Sequence, residues 1–149
     1  MKVFFCKNRL LGKDIFVLSK KIKMEKQIIN SKSAPAPIGP YNQAVKTGNL
    51  LFISGQIALD AITGELVNES ISAETTQVMQ NLKAILNEAG KSFSAVVKTT
   101  IFLSSMEHFT AVNEVYASYF EGDFPARETV AVAGLPKNVN VEISMIAAL

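Results

Sequence analysis

The chain has 149 residues, 48% of them hydrophobic and 19% charged, the composition of one folded domain and not of a disordered or fibrous chain. A single cysteine, Cys6, excludes an internal disulfide framework and a multi-cysteine metal site, and a single histidine, His108, excludes any centre that needs several imidazoles. No apolar run approaches the roughly 20 residues of a membrane span, so the expectation is a soluble protein of a reducing compartment, the cytoplasm.

The formal net charge of +2 conceals two regions of opposite character. Residues 1–24 carry seven lysines and arginines against Asp14 alone, whereas residues 25–149 carry eight basic and twelve acidic side chains. The first stretch reads as a basic leader and the second as a single domain. Three explanations of the leader stand side by side: a targeting presequence, a flexible basic tail, or a translation start placed too early, with Met24 near the real one. Few serines, one arginine and a longest apolar run of only residues 15–18 weigh against targeting. The acidic body argues against nonspecific nucleic-acid binding, which leans on clustered positive charge.

Residues 27–30 are expected to form a short strand. The loop that follows is fixed by Pro35, Pro37 and Pro40, which remove backbone donors and restrict their neighbours. Residues 50–54 read as a buried strand that Gly55 can bend and residues 56–59 can continue, before a turn at residues 60–64. The strongest helix signal covers residues 72–90, where Val78, Leu82, Ile85, Leu86 and Ala89 make an apolar stripe and Gly90 is a C-terminal cap. A strand is expected over residues 93–103 and a second helix over 106–120, with Phe109, Val112, Tyr116, Tyr119 and Phe120 on one broad face. Two late strands follow, residues 129–133 and 139–147. This order suggests an α+β sandwich of two layers, a mixed sheet with two helices on one face. The last strand has apolar positions on both faces, so the uncovered face is expected to pack against another subunit.

Neither a phosphate loop nor a spaced glycine fingerprint follows the first strands, which disfavours ATP or NAD use. Ser54 precedes Gly55 without a nucleophile elbow, and His108 reads as a surface or capping residue. Arg127 is the only arginine after the leader. Its rigid fork suits a carboxylate, although a surface pairing with Glu128 or with another subunit's acid is equally open. Glu142 interrupts an apolar run: facing a pocket, it could accept a proton, orient water or pair with Arg127; facing solvent, it is the polar member of an alternating strand. Tyr41 could anchor the proline loop or close a pocket, and Asn113 could be a helix-surface amide.

Several ordered motifs carry a resemblance: Phe124-Pro125-Ala126-Arg127, Gly134-Leu135-Pro136-Lys137 through Val141-Glu142-Ile143, Ala36 to Tyr41, Phe52 to Gln56, Val97 to Thr100, and Asn113 with Tyr116. Over residues 26–149 the chain resembles the RidA (YjgF) family of reactive enamine and imine deaminases. The resemblance implies a chorismate-mutase-like fold and a homotrimer with clefts between subunits. It implies that Arg127 binds the substrate carboxylate, that Glu142 positions or activates the hydrolytic water, and that Tyr41 stands with them on the pocket wall. Ser54 and Gly55 match the segment that shapes the pocket, Asn113 matches the family's helix asparagine, and groups near Thr129 complete the polar site. The implied substrates are 2-aminoacrylate, 2-aminocrotonate and their imines, hydrolysed to 2-oxo acids and ammonia with no metal or organic cofactor. Three positions depart from the pattern. Glu128 stands where many relatives have a small polar residue, Thr129 where close deaminases often have cysteine, and Ser144 replaces the second acid of a Glu-x-Glu pair. The alternatives are a trimer that binds small carboxylates or regulates a partner without catalysis and, less favoured, an endoribonuclease or translation inhibitor.

Overall fold

The computed structural model describes residues 25–149 together with two short antiparallel strands, β1 (Arg9–Leu10) and β2 (Lys13–Asp14). The rest of the leader, and with it the three readings of that segment, lies outside the described residues. The main sheet has six strands: β3 (Gln27–Ile29), β4 (Ala44–Thr47), β5 (Leu50–Gln56), β6 (Val96–Leu103), β7 (Ala126–Ala131) and β8 (Val141–Ala148). Their order is β3-β4-β5-β8-β6-β7, antiparallel throughout except for the parallel pair β6 and β7. Helix α1 (Ile71–Glu88) packs on β8 and β5 and against α2 (Phe109–Ala117). The result is a two-layer α+β fold, a mixed sheet with helices on one face, of the chorismate-mutase-like kind. Among the described residues no helix is long and apolar enough to cross a membrane.

Packing, more than capping, holds α1. Val78, Met79, Leu82, Ile85 and Leu86 are fully buried, each contributing about 1.5–3 kcal/mol of burial against about 1 kcal/mol for a capping residue. The cap is Ser70, whose hydroxyl accepts from the Ala73 amide at 3.1 Å, so the helix starts just before the expected position. At the other end Gly90 takes φ +69°, and the Gly90 and Lys91 amides donate to the Asn87 and Leu86 carbonyls, each at 2.9 Å.

Alternation in β8 sends Val141, Ile143, Met145 and Ala147 into the core against α1 and leaves Glu142, Ser144 and Ile146 on the outer face. The register places Phe52 opposite Ile146 and Phe102 opposite Glu142 there. Leu50, Phe52 and Val130 are exposed large apolar side chains on this face.

Several boundaries differ from the sequence reading. The second helix is shorter than the expected 106–120: residues 106–108 form a 3-10 turn and α2 covers Phe109–Ala117. Strand β4 was absent from it; Gly48, at φ +55°, opens the two-residue hairpin that pairs Thr47 with Leu50. Residues 93–95 form a 3-10 turn instead of strand, because Phe93 packs edge-on against Tyr119 and Phe120 at 5.4 and 5.5 Å. Strand β7 begins at Ala126, where its ladder with Lys98 starts, so Arg127 is a strand residue. Strand β8 begins at Val141, because Lys137 and Asn138 adopt left-handed angles in the turn before it.

Candidate functional site

The proline loop is tied down by one amide. Gln43, buried at the start of β4, accepts from the Ser31 amide at 2.6 Å and donates to the carbonyls of Ser31, Ala34 and Pro35 at 3.1, 3.2 and 2.8 Å. A segment with so few donors of its own needs such an outside partner. Two further buried amides shape the end of β5 and the chain beyond it: Gln56 donates to the carbonyls of Ser54 and Gly55, and Asn81 reaches from α1 to those of Ile57 and Leu59.

Between these segments lies a cavity of about 240 Å³. Tyr41, Ser54, Gly55 and Glu142 line it, with Ile38, Ile57, Leu59 and Pro136 forming apolar wall. The Tyr41 hydroxyl accepts from the Ile38 amide at 3.3 Å, which leaves its own proton free to donate. Ser54 has spent its proton on the Asn42 carbonyl at 2.7 Å, so it offers lone pairs and no ready nucleophile. Glu142 lies directly over Gly55: a Cβ there would stand 2.7 Å from the carboxyl carbon and 3.0 Å from Cγ. Glycine is therefore required by close approach and not by backbone angles. Burial pushes the Glu142 carboxyl above its ordinary range.

Arg127 and Thr129 on β7 and Asn113 on α2 lie outside this cavity's lining. The half-buried Arg127 on β7 lies over the Tyr116 ring at 4.9 Å and nearer the edge of reach of Phe109 at 5.9 Å. Asn113 sits between those two aromatic residues on α2, at helical spacing that puts all three on one face. The Thr129 hydroxyl is buried without a hydrogen-bond partner among the described residues. Glu128 points to the opposite face, where Lys98 and the Thr100 hydroxyl donate to its carboxylate, so it does not pair with Arg127.

Arg127 and Glu142 also face apart. Arg127 shares the helix-side face with its ladder partner Thr99, whereas Glu142 shares the outer face with Phe102. Phe102 pairs with both Glu142 and Val130. Two strand spacings and three residues along the strand thus separate the backbones of Glu142 and Arg127, about 14 Å in all. A pairing of the two within one chain, open on the sequence alone, is excluded by this register. The structuring amides Gln43, Gln56 and Asn81, and the Tyr116 ring beneath Arg127, were not singled out as functional from sequence; a buried glutamine beside a donor-poor proline run was the available signal for Gln43.

The endoribonuclease L-PSP family model matches residues 31–149. A RutC family protein of Pyrococcus horikoshii is 52% identical over 122 residues, 82% of this chain and 97% of that protein. A 2-iminobutanoate/2-iminopropanoate deaminase of Dermatophagoides farinae is 45% identical over 124 residues, 83% of this chain and 97% of its own length. The crystal structure of E. coli TdcF with bound serine matches with a TM-score of 0.79 at 38% identity, over 83% of this chain and 98% of that one. Both residue groups, from Tyr41 to Glu142, lie inside the residues the family model matches, and the chain belongs to the RidA/YjgF family.

Proposed function

We propose that this protein hydrolyses the imines of 2-aminoacrylate and 2-aminocrotonate to pyruvate and 2-oxobutanoate, releasing ammonia, in clefts between the copies of a homotrimer. One observation carries the reading: a carboxylate-lined cavity and a half-buried arginine with no acidic partner among the described residues lie on opposite faces of one chain. A second copy that brings its Arg127 to this Glu142 completes a site that a single chain leaves in halves. The exposed Phe52 and Val130 give the outer sheet face an apolar surface for such packing. The deaminase name of the Dermatophagoides farinae relative and the serine bound to TdcF support a small amino-acid-derived carboxylate as ligand.

In this reading Arg127 clamps the substrate carboxylate with two parallel hydrogen bonds. The enamine first takes a proton at carbon and becomes the imine. Glu142 accepts a proton from water as the oxygen bonds to the imine carbon, while the imine nitrogen takes up a proton from solvent. The tetrahedral intermediate then loses ammonia, Glu142 having returned its proton to the leaving nitrogen, and its hydroxyl gives a proton back to solvent as the carbonyl of the 2-oxo acid forms. Tyr41 supplies a donor at the rim. Asn113, Thr129 and the Ser54–Gly55 segment complete the polar surround, and Thr129 removes any thiol-based step. These imines already hydrolyse in water, so a modest catalyst suffices.

Release of ammonia and 2-oxo acid from freshly generated 2-aminoacrylate and 2-aminocrotonate, measured against a spontaneous control, tests the proposal. Acceleration is expected with at least one substrate; none with either would overturn it. The family model's endoribonuclease description makes RNA cleavage the second reading, to be run in parallel. The acidic balance of residues 25–149 gives phosphates little to bind. Arg127→Ala is expected to lower kcat/KM by about 10- to 100-fold with the trimer preserved, the worth of a charge-assisted pair; an unchanged rate would sink the clamp. Gly55→Ala drives a methyl into the Glu142 side chain, which must swing aside. The expected result is a loss of about 10²-fold in turnover with little change in Tm. A normal rate would show that Glu142 need not occupy its present position.

A further inference from the structure

An arginine on an edge strand has a long stem and ordinarily samples many rotamers in water. Arg127 is held instead by three residues that close on one another. Thr99 is its ladder partner across the parallel β6–β7 pair and is fully buried. The Tyr116 hydroxyl donates to Thr99 Oγ1 at 3.2 Å, which fixes the ring, and the ring lies 4.9 Å from the guanidinium carbon of Arg127. Tyr116 is only 2% exposed, so the ring cannot turn away. Burial pushes its hydroxyl above the ordinary range, opposed in part by Thr99 and Arg127, and the group stays a protonated donor. Phe109 adds a second, more distant wall at 5.9 Å.

A cation–π contact takes no hydrogen bond from the five N–H donors of a guanidinium. Among the described residues no acceptor takes a hydrogen bond from them, and no carboxylate pairs with Arg127. We infer that Tyr116 is a positioning residue whose buried ring orients Arg127 in advance for a carboxylate, with Phe109 bounding the slot. The inference rests on the carboxylate-clamp reading of Arg127. An arginine held against a fixed ring has surrendered rotamer freedom before the ligand arrives, so less affinity is lost on binding.

The test titrates the full-length protein with 2-oxobutanoate by calorimetry and compares steady-state kinetics on 2-aminocrotonate. Tyr116→Leu is expected to weaken binding and raise KM about tenfold, with kcat nearly unchanged, as loss of a partly desolvated cation–π contact and of preorganisation requires. Tyr116→Phe keeps the ring and is expected to stay within about threefold of the parent. Circular dichroism and elution volume establish that each variant is folded and assembled. A folded Tyr116→Leu protein that binds like the parent overturns the inference, and so does a Tyr116→Phe protein that loses as much as Tyr116→Leu, which would assign the effect to the hydroxyl. Should Tyr116→Leu not fold, Phe109→Leu, at the rim, is expected to weaken binding about threefold; unchanged binding there overturns the slot. A parent protein that binds 2-oxobutanoate without hydrolysing imines removes the deaminase reading while these titrations still decide the slot. A parent protein that binds no 2-oxobutanoate overturns the slot.

Discussion

Replacing Glu142 by glutamine is expected to lower kcat by about 10²- to 10⁴-fold, the range of a lost general acid–base group, without loss of stability at neutral pH. Glutamine fills the same space over Gly55 and keeps an acceptor, but it cannot carry a proton between water and the leaving nitrogen. The stability side follows from burial, which raises the Glu142 pKa in the folded protein. A raised folded-state pKa means that the native protein holds this proton more tightly than the unfolded chain does. The stabilisation it contributes is present below the unfolded-state value and is lost as pH rises through the folded-state value. Above that window the ionised carboxylate is a cost that glutamine does not bear. The Tm of Glu142→Gln relative to the parent is therefore expected to rise as pH climbs from the ordinary glutamate value through the raised folded-state value. The parent's kcat should fall on the acid side of its profile as Glu142 takes up a proton, above the ordinary glutamate range. Melts across that pH series, with the kcat profile of the parent, check both halves. A variant that retains the parent rate defeats the assignment, whereas a relative Tm that falls as pH rises would mean that Arg127 of the second copy outweighs burial at Glu142.

The same residue illustrates what the sequence could and could not disclose. Its position in an alternating strand was legible, because Val141, Ile143, Met145 and Ala147 alternate cleanly and only one face of β8 meets the helices. What it faces was not. That depends on the proline loop returning to β5, which Gln43 secures through contacts eight to twelve residues away, and on Gly55 permitting the approach. The α1 stripe was readable because burial dominates it, but the buried Glu74, Thr75 and Asn81 on the same helix were hidden, since polar residues in a helix ordinarily mark its wet side. Strand β4 had a signal that went unused, the Gly48-Asn49 pair between two extended runs. For Arg127 the residue type was informative and the location was misread. The Thr129 to Ala133 pattern drew the strand downstream, whereas the parallel ladder with β6 starts at Ala126 and aims Arg127 toward α2.

Glu74 carries the largest expected effect on stability. It is fully buried on α1, where its carboxylate accepts from the backbone amides of Asn140 and Val141 at 2.6 and 3.3 Å and from the Asn140 side chain at 3.0 Å. These are the residues at which the chain leaves the left-handed turn and enters β8, so one side chain ties helix to sheet two residues before Glu142. Glu74→Ala would strand three donors and open a cavity. The expected cost is about 3 kcal/mol or more, since buried unsatisfied groups cost about 1–3 kcal/mol each. At fixed protein concentration that corresponds to a fall in Tm of about 10 °C for a chain of this size. Glu74→Gln separates the need for an acceptor from the need for a charge. Its carbonyl oxygen can still receive both backbone amides, while its NH₂ group meets the Asn140 side chain, whose amide must turn over. Ser104 permits the turn: its hydroxyl stands 2.9 Å from Asn140 Oδ1 and can accept from the turned amide as readily as it now donates. Most of the stability is therefore expected to return in Glu74→Gln. Equal losses in both variants would mean that the negative charge, and not the set of acceptors, holds the start of β8 in place.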